Sequence, residues 1–177
     1  MIQVDDEIAL VPLTAEVADA YAAHAERDYE RMRRWLWWVD SGRTAADVRT
    51  FVATVEDRRL HDLGDCYTIV VNGEVAGAVD IHDVNRQHSV GAIGYWLGST
   101  YGGRGIMTRA VVATAQLAFE THRLHRLELL AAVDNHASRA VAERAGFTLE
   151  AILHQRLWAP HGFDDAALYA KLAPPSS

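Results

Sequence analysis

Cysteine is nearly missing from this chain: Cys66 stands alone among 177 residues. A single thiol excludes an intramolecular disulfide and a cysteine zinc site. Its place in an alternating apolar segment makes it a core residue rather than a nucleophile. Lysine is equally scarce. Lys171 is the only one among 17 basic residues, which leaves 17 − 1 = 16 arginines, a bias of composition rather than mechanism. An excess of positive charge is also absent. The formal net charge of −7 argues against generic DNA or RNA binding, which needs a basic face, and suits a cationic substrate only weakly. No apolar run reaches the ~18 residues of a membrane span. The opening Met1-Ile2-Gln3-Val4-Asp5-Asp6-Glu7 is acidic and has no apolar h-region, so it does not read as a secretory signal. These absences lead us to expect a cytoplasmic protein. Repeats and long linkers are lacking too, and only Pro174-Pro175-Ser176-Ser177 reads as a disordered tail.

What is present is enough apolar material for a core. Half of the residues are hydrophobic, and the length fits one domain, expected over residues 1–173. Ile8 to Leu13 reads as a first strand, with Pro12 at its edge or end. Thr14 is placed to cap a helix from Ala15 to about His24, and a second helix is expected from about Ala25 to Arg34. An aromatic cluster, Trp35-Leu36-Trp37-Trp38, follows. Thr44 or Asp47 can open a longer helix to about Leu63, with Gly64 as its left-handed cap. Tyr67, Ile69 and Val71 alternate before Asn72-Gly73, a strong hairpin signal. Val75, Gly77, Val79 and Ile81 share one face of the partner strand. Further strands are expected at Val90–Gly98, Leu127–Val133, Phe147–Trp158 and Phe163–Leu172, with helices at Ile106–His122 and from Asn135 to Gly146. The order predicts an α/β fold, a mixed sheet with helices on its faces.

The chemistry begins at Gly98-Ser99-Thr100-Tyr101-Gly102-Gly103-Arg104-Gly105-Ile106-Met107, where a strand enters a Gly-rich turn that opens a helix. Successive N–H groups and the positive end of the helix make such a turn an anion site. It lacks the lysine of a P-loop and the spacing and early position of a dinucleotide-binding loop. A pyrophosphate held without lysine or metal ligands points to coenzyme A.

Ile93-Gly94-Tyr95-Trp96-Leu97-Gly98, this loop and Ile106-Met107-Thr108-Arg109-Ala110-Val111 resemble motif A of the GNAT acetyltransferases. More narrowly, the chain is similar to the RimJ/RimL branch, the ribosomal-protein N-terminal acetyltransferases. Arg34-Trp35-Leu36-Trp37-Trp38-Val39-Asp40 resembles that branch's Trp-Leu-Pro-Trp segment. Asn135-His136-Ala137-Ser138, Ala145-Gly146-Phe147 and Asp164-Asp165 with Leu168-Tyr169 agree with its later motifs. The resemblance implies a splayed, mostly antiparallel sheet flanked by helices, and acetyl-CoA as the acyl donor with no metal.

It also implies site residues. The pantetheine arm would pair with backbone near Trp96 and Leu97, between two parallel strands that part. The pyrophosphate would rest on N–H groups of Gly102, Gly103, Arg104, Gly105, Ile106 and Met107, with Asn135 capping the helix nearby. A backbone N–H near Leu97 would face the thioester oxygen. Ser138, on the first turn of its helix, would serve the leaving thiolate, the alternative being a Ser that only completes the cap. Trp35, Trp37 and Tyr95 would wall the acceptor. Tyr95 and Trp96 alternate, so only one of them can face the cleft.

The sequence departs from the family where relatives often carry Glu, at Ala92, and where many carry Tyr, at Ala142. His82 or Asp80 is then left as the base, His82 titrating in the useful range. An α-amine, with a pKa of about 7.7–8.0, needs less help than lysine at about 10.4. The expected acceptor is therefore a protein or peptide N-terminus. A small-molecule amine (polyamine, antibiotic or toxin) is the alternative, and a non-catalytic acyl-CoA-binding domain a third. Neither nucleic acid nor membrane is an expected partner, and a homodimer is an open option.

Overall fold

The computed structural model describes residues 1–41 and 44–175, with only the backbone given for Trp37 and Ser41. Among the described residues eight strands form one sheet. They are β1 (Ile2–Gln3), β2 (Ile8–Pro12), β3 (Asp65–Val71), β4 (Glu74–Asn85), β5 (Val90–Leu97), β6 (Arg126–Ala132), β7 (Thr148–Ala159) and β8 (Gly162–Leu172). The spatial order is β1-β2-β3-β4-β5-β6-β8-β7, antiparallel everywhere except β5 against β6. The helices are α1 (Ala18–Arg27), α2 (Tyr29–Arg33), α3 (Ala45–Leu60), α4 (Ile106–Glu120) and α5 (His136–Arg144).

Alternation along the strands makes two cores. On one face Ile8, Ile69, Val79, Ile81, Ile93 and Leu127 pack under α4 and α5. On the other, Cys66, Ala78 and Trp96 meet Tyr21 of α1, Met32 of α2 and Val48, Val52 and Val55 of α3. Trp96 fixes that second core. Its indole stands edge-on to Tyr21, 5.0 Å between ring centres, and donates to the Tyr21 hydroxyl at 2.8 Å.

Several expectations shift in detail. The acidic start contributes the short strand β1, unanticipated because two residues carry no period. Thr14 makes no capping bond, and the first helix opens instead as a 3-10 turn over Ala15–Val17. Thr44 does cap α3, in a reciprocal box with Asp47. Gly64 is not a left-handed cap. With φ +132° it enters β3 where a Cβ would stand 2.1 Å from the Ile81 carbonyl oxygen, so close backbone approach explains it. Asn72 and Gly73, at φ 51° and 88°, make the expected hairpin turn. The expected tail falls partly on Ser176 and Ser177, which lie outside the described residues.

Candidate active site

The β5–β6 pair is the key to the site. Its parallel register holds for three residue pairs only, Val90 with Arg126, Gly91 with Leu127 and Ala92 with Glu128. Beyond them β5 stays with β4 as far as Leu97, and β6 stays with β8 as far as Ala132. The two strands therefore part, and the backbone edges that face each other no longer pair with one another. On β5 the facing edge can be assigned. The Gly98 N–H donates to Ala76 of β4 at 2.7 Å, so by alternation the N–H and C=O groups of Tyr95 and Leu97 point the other way, into the gap. Consistently, the Leu97 carbonyl accepts from the Arg31 guanidinium rather than from β4.

A cleft of about 1750 Å³ fills the gap, and both the Gly-rich turn and the aromatic segment line it. At the turn, Gly103 and Gly105 have φ of +75° and +70°, a conformation other residues rarely adopt. The Arg109 N–H bonds back to the Gly105 carbonyl at 3.1 Å, as the first turn of α4 closes. The N–H groups ahead of it thus point out of the helix end. No acidic side chain occupies that first turn. The Thr108 hydroxyl is buried there and finds no hydrogen-bond partner among the described residues. Free amides, a positive helix end and an unsatisfied hydroxyl fit an anionic group such as a pyrophosphate. Ile106 and Met107, 1% and 6% exposed, offer backbone only. Arg104 does likewise, since its guanidinium turns to Glu7 at 2.9 Å. Gly102, expected to offer its N–H to the pyrophosphate, instead donates it to the Ser99 carbonyl at 3.2 Å as the turn closes.

Ser138 lies across the gap. Its N–H donates to the side chain of Asn135, the cap of α5, at 3.2 Å. Its Oγ is 2.9 Å from the Tyr95 hydroxyl, which also lies 3.1 Å from the Ser138 carbonyl oxygen. Tyr95 therefore spans from β5 to α5, and burial pushes its phenol up to about 12. Trp96, next along β5, points its side chain to the opposite face and into the core, and by the same alternation its N–H and C=O face β4, so the expected pairing of a ligand with its backbone moves to Tyr95 and Leu97.

That opposite face carries the other polar group. His82 Nδ1 is 3.2 Å from the Asp80 carboxylate, and Nε2 is 3.9 Å from Asp83. Burial pulls the imidazole down, but Asp80 and Asp83 outweigh it and hold the pKa above the ordinary value. Gly94 makes room for the pair, since a Cβ there would stand 2.6 Å from Asp80 Oδ1 and 3.1 Å from His82 Cε1. His82 and Ser138 thus flank the cleft from opposite sides of β5. Trp35 and Trp38 line the same cleft as His82, with Arg34 over the Trp35 ring at 4.5 Å. The side chain of Trp37 lies outside the described residues.

Sequence reasoning passed over three contributors. Asp28, 7% exposed, accepts the Ser99 N–H at 2.9 Å and tethers the α1–α2 junction to the end of β5. Thr108 is the second, betrayed only by being polar on an inward turn. Glu128 is the third, brought opposite Ala92 by the parallel register and held by Arg126 at 2.8 Å. Among the described residues no group of His, Cys, Asp and Glu is arranged to hold a metal, and no helix is long and apolar enough to cross a membrane.

Comparison with known proteins agrees with this geometry. Residues 7–148 match the family model described as the acetyltransferase (GNAT) domain. The chain is 28% identical over 171 residues to the putative ribosomal N-acetyltransferase YdaF of Bacillus subtilis, covering 96% of this chain and 93% of that protein. It is 31% identical over 132 residues to the ribosomal-protein-serine acetyltransferase of Escherichia coli, covering 69% and 74% of the two. Among solved structures, the microcin C7 self-immunity acetyltransferase MccE, in complex with acetyl-CoA and AMP, superposes with a TM-score of 0.90 at 25% identity, over 96% of this chain and 94% of that one. A sheet that opens between two parallel strands, with an anion cradle at one end, is thus joined to a family match over most of the chain: the protein belongs to the GNAT acetyltransferases.

Proposed function

We propose that the chain transfers an acetyl group from acetyl-CoA to a primary amine, the N-terminal α-amine of a protein or peptide. The observation that carries the reading is the parting of β5 from β6 after Ala92 and Glu128, between the Gly-rich turn and Ser138. Acetyl-CoA supplies an acyl thioester already activated for attack. The residues that fit it are the amides from Gly103 to Met107 with Thr108 for the phosphates, and the Tyr95 backbone for the pantetheine amides. The Leu97 N–H faces the gap, where a donor stabilises negative charge on a carbonyl oxygen. Ser138, beside the N-terminus of α5, donates toward the leaving sulfur.

On the other side of β5, His82 takes the proton that the amine gives up, and Asp80 holds the imidazole. A base of this strength suits an α-amine better than a lysine, and Ala92 supplies no carboxylate that would help the latter. The names of the ribosomal-protein relatives favour the same acceptor. A small-molecule amine is the second reading, favoured by the likeness to MccE, an immunity acetyltransferase.

Thiol release from acetyl-CoA, measured with short peptides bearing free α-amines and in parallel with polyamines, tests the reading. Release with peptides alone is the expected result. Release with polyamines alone moves the acceptor to small molecules, and release with neither overturns the assignment of the acceptor altogether.

A further inference from the structure

The Tyr95–Ser138 contact holds more information than a tie between a strand and a helix. Two hydroxyl hydrogens serve this cluster, and three oxygens can accept them: the Tyr95 phenol, Ser138 Oγ and the Ser138 carbonyl. Two arrangements satisfy the distances. In the closed one, Tyr95 donates to the carbonyl at 3.1 Å and Ser138 donates to the phenol at 2.9 Å. In the open one, Tyr95 donates to Oγ, and the Ser138 hydrogen is released to point into the cleft. Heavy atoms stay in place in both.

We propose that Tyr95 is a positioning residue that turns the Ser138 hydrogen outward, toward the leaving sulfur, as negative charge develops there. The inference rests on the proposed acetyl transfer. The carbon–sulfur bond breaks, its electron pair stays on sulfur, and the Ser138 O–H donates to that charge. Tyr95 simultaneously donates to Oγ and strengthens the Ser138 donor, because linked hydrogen bonds polarise one another. Both hydrogens rotate, and neither leaves its own oxygen. Burial keeps the phenol protonated through the neutral range, so it is a donor in either arrangement. Tyr169 and Arg144 are the ionisable neighbours that bear on it. Ala142, one turn further along α5 and fully buried, brings no competing hydroxyl.

The test reads the thiol of bound CoA, with no acceptor present, by its ultraviolet titration. Wild type is expected to hold this thiol more acidic than in free CoA. Tyr95→Phe should raise its pKa by about one unit, and adding Tyr95→Phe to Ser138→Ala should change nothing further. In turnover, Tyr95→Phe should lower kcat about tenfold with the KM for acetyl-CoA unchanged. A purely structural tie would lower the melting temperature and leave the thiol pKa where it was, which overturns the proposal. So would equal effects of Tyr95→Phe with and without Ser138, or a bound thiol that titrates like the free one. Should Tyr95→Phe fail to fold, fluorotyrosine at position 95 alone, a more acidic and stronger donor, should lower the thiol pKa, and no shift overturns the proposal. Failure of wild type to acetylate any amine, while Tyr95→Phe still shifts the thiol, removes the acceptor reading and leaves this one standing. Failure to bind CoA removes both.

Discussion

Asp28 Oδ2 accepts the backbone N–H of Ser99 at 2.9 Å, joining the α1–α2 junction to the segment that leads from β5 into the Gly-rich turn. Burial pushes the Asp28 carboxyl up, but its bonds to Ser99 and the nearby Arg31 outweigh burial and leave the pKa below the usual range. The contact holds the lead-in to the turn against the helical side of the sheet.

Asp28→Ala leaves the Ser99 N–H without its partner and should cost about 1–3 kcal/mol, measured by denaturant unfolding. The pH dependence has a definite sign. A depressed folded pKa contributes stability above the unfolded value, about 3.9, and that contribution is lost as pH falls through the lower folded value. The variant should therefore lose less stability on acidification than wild type over that window.

Gly105→Ala puts a side chain on a residue with φ +70°. No atom lies within 4 Å of the added Cβ, so the cost is conformational, about 1–2 kcal/mol. If the chain relaxes that strain by shifting the turn, the amides ahead of α4 lose their common aim. Calorimetric titration with CoA should then show weakened binding, while the kcat at saturating acetyl-CoA changes little.

Ser138→Ala removes a donor to a charged atom, an interaction worth about 1.5–3 kcal/mol. Steady-state kinetics should show kcat lowered by about tenfold to a hundredfold, with acetyl-CoA binding nearly unchanged. An unchanged kcat would remove Ser138 from the mechanism.

Asp80→Asn tests the base. His82 accepts a proton only when neutral, so activity falls as pH drops through its pKa, which Asp80 and Asp83 hold above the ordinary value. With the Asp80 charge gone, burial and Arg58 favour the neutral ring, and the acid limb of kcat/KM should move to lower pH. Stability follows the matching rule: a raised folded pKa contributes below the unfolded value and is lost as pH rises through the folded one. An unmoved acid limb would dismiss the pair from proton transfer.

Much of this architecture is legible in the residues. Asn72-Gly73, the alternation from Val75 to Ile81 and the glycines before Ile106 each encode their local geometry, and they place the hairpin, β4 and the cradle. Asn135 and Ser138 were readable as a cap for the same reason. The second helix was not. It covers only Tyr29–Arg33, because the chain bends at Asp28 to reach Ser99, seventy-one positions away. Partners so distant leave no local period. The Tyr95–Ser138 contact escaped likewise, being set by how far two strands diverge, and the place of Glu128 opposite Ala92 depends on a register that no single segment records.

The three-pair ladder between β5 and β6 also divides the sheet along the sequence. Strands β1 to β5 come from residues before Gly98, and β6 to β8 from residues after His125, with α4 as the bridge between them. The cleft is therefore a seam between an early and a late stretch of the same polypeptide, closed at its narrow end by backbone bonds. A ligand lying along that seam would act as a splint across the two half-sheets, and its grip would register as added resistance to their separation as well as occupancy of a site.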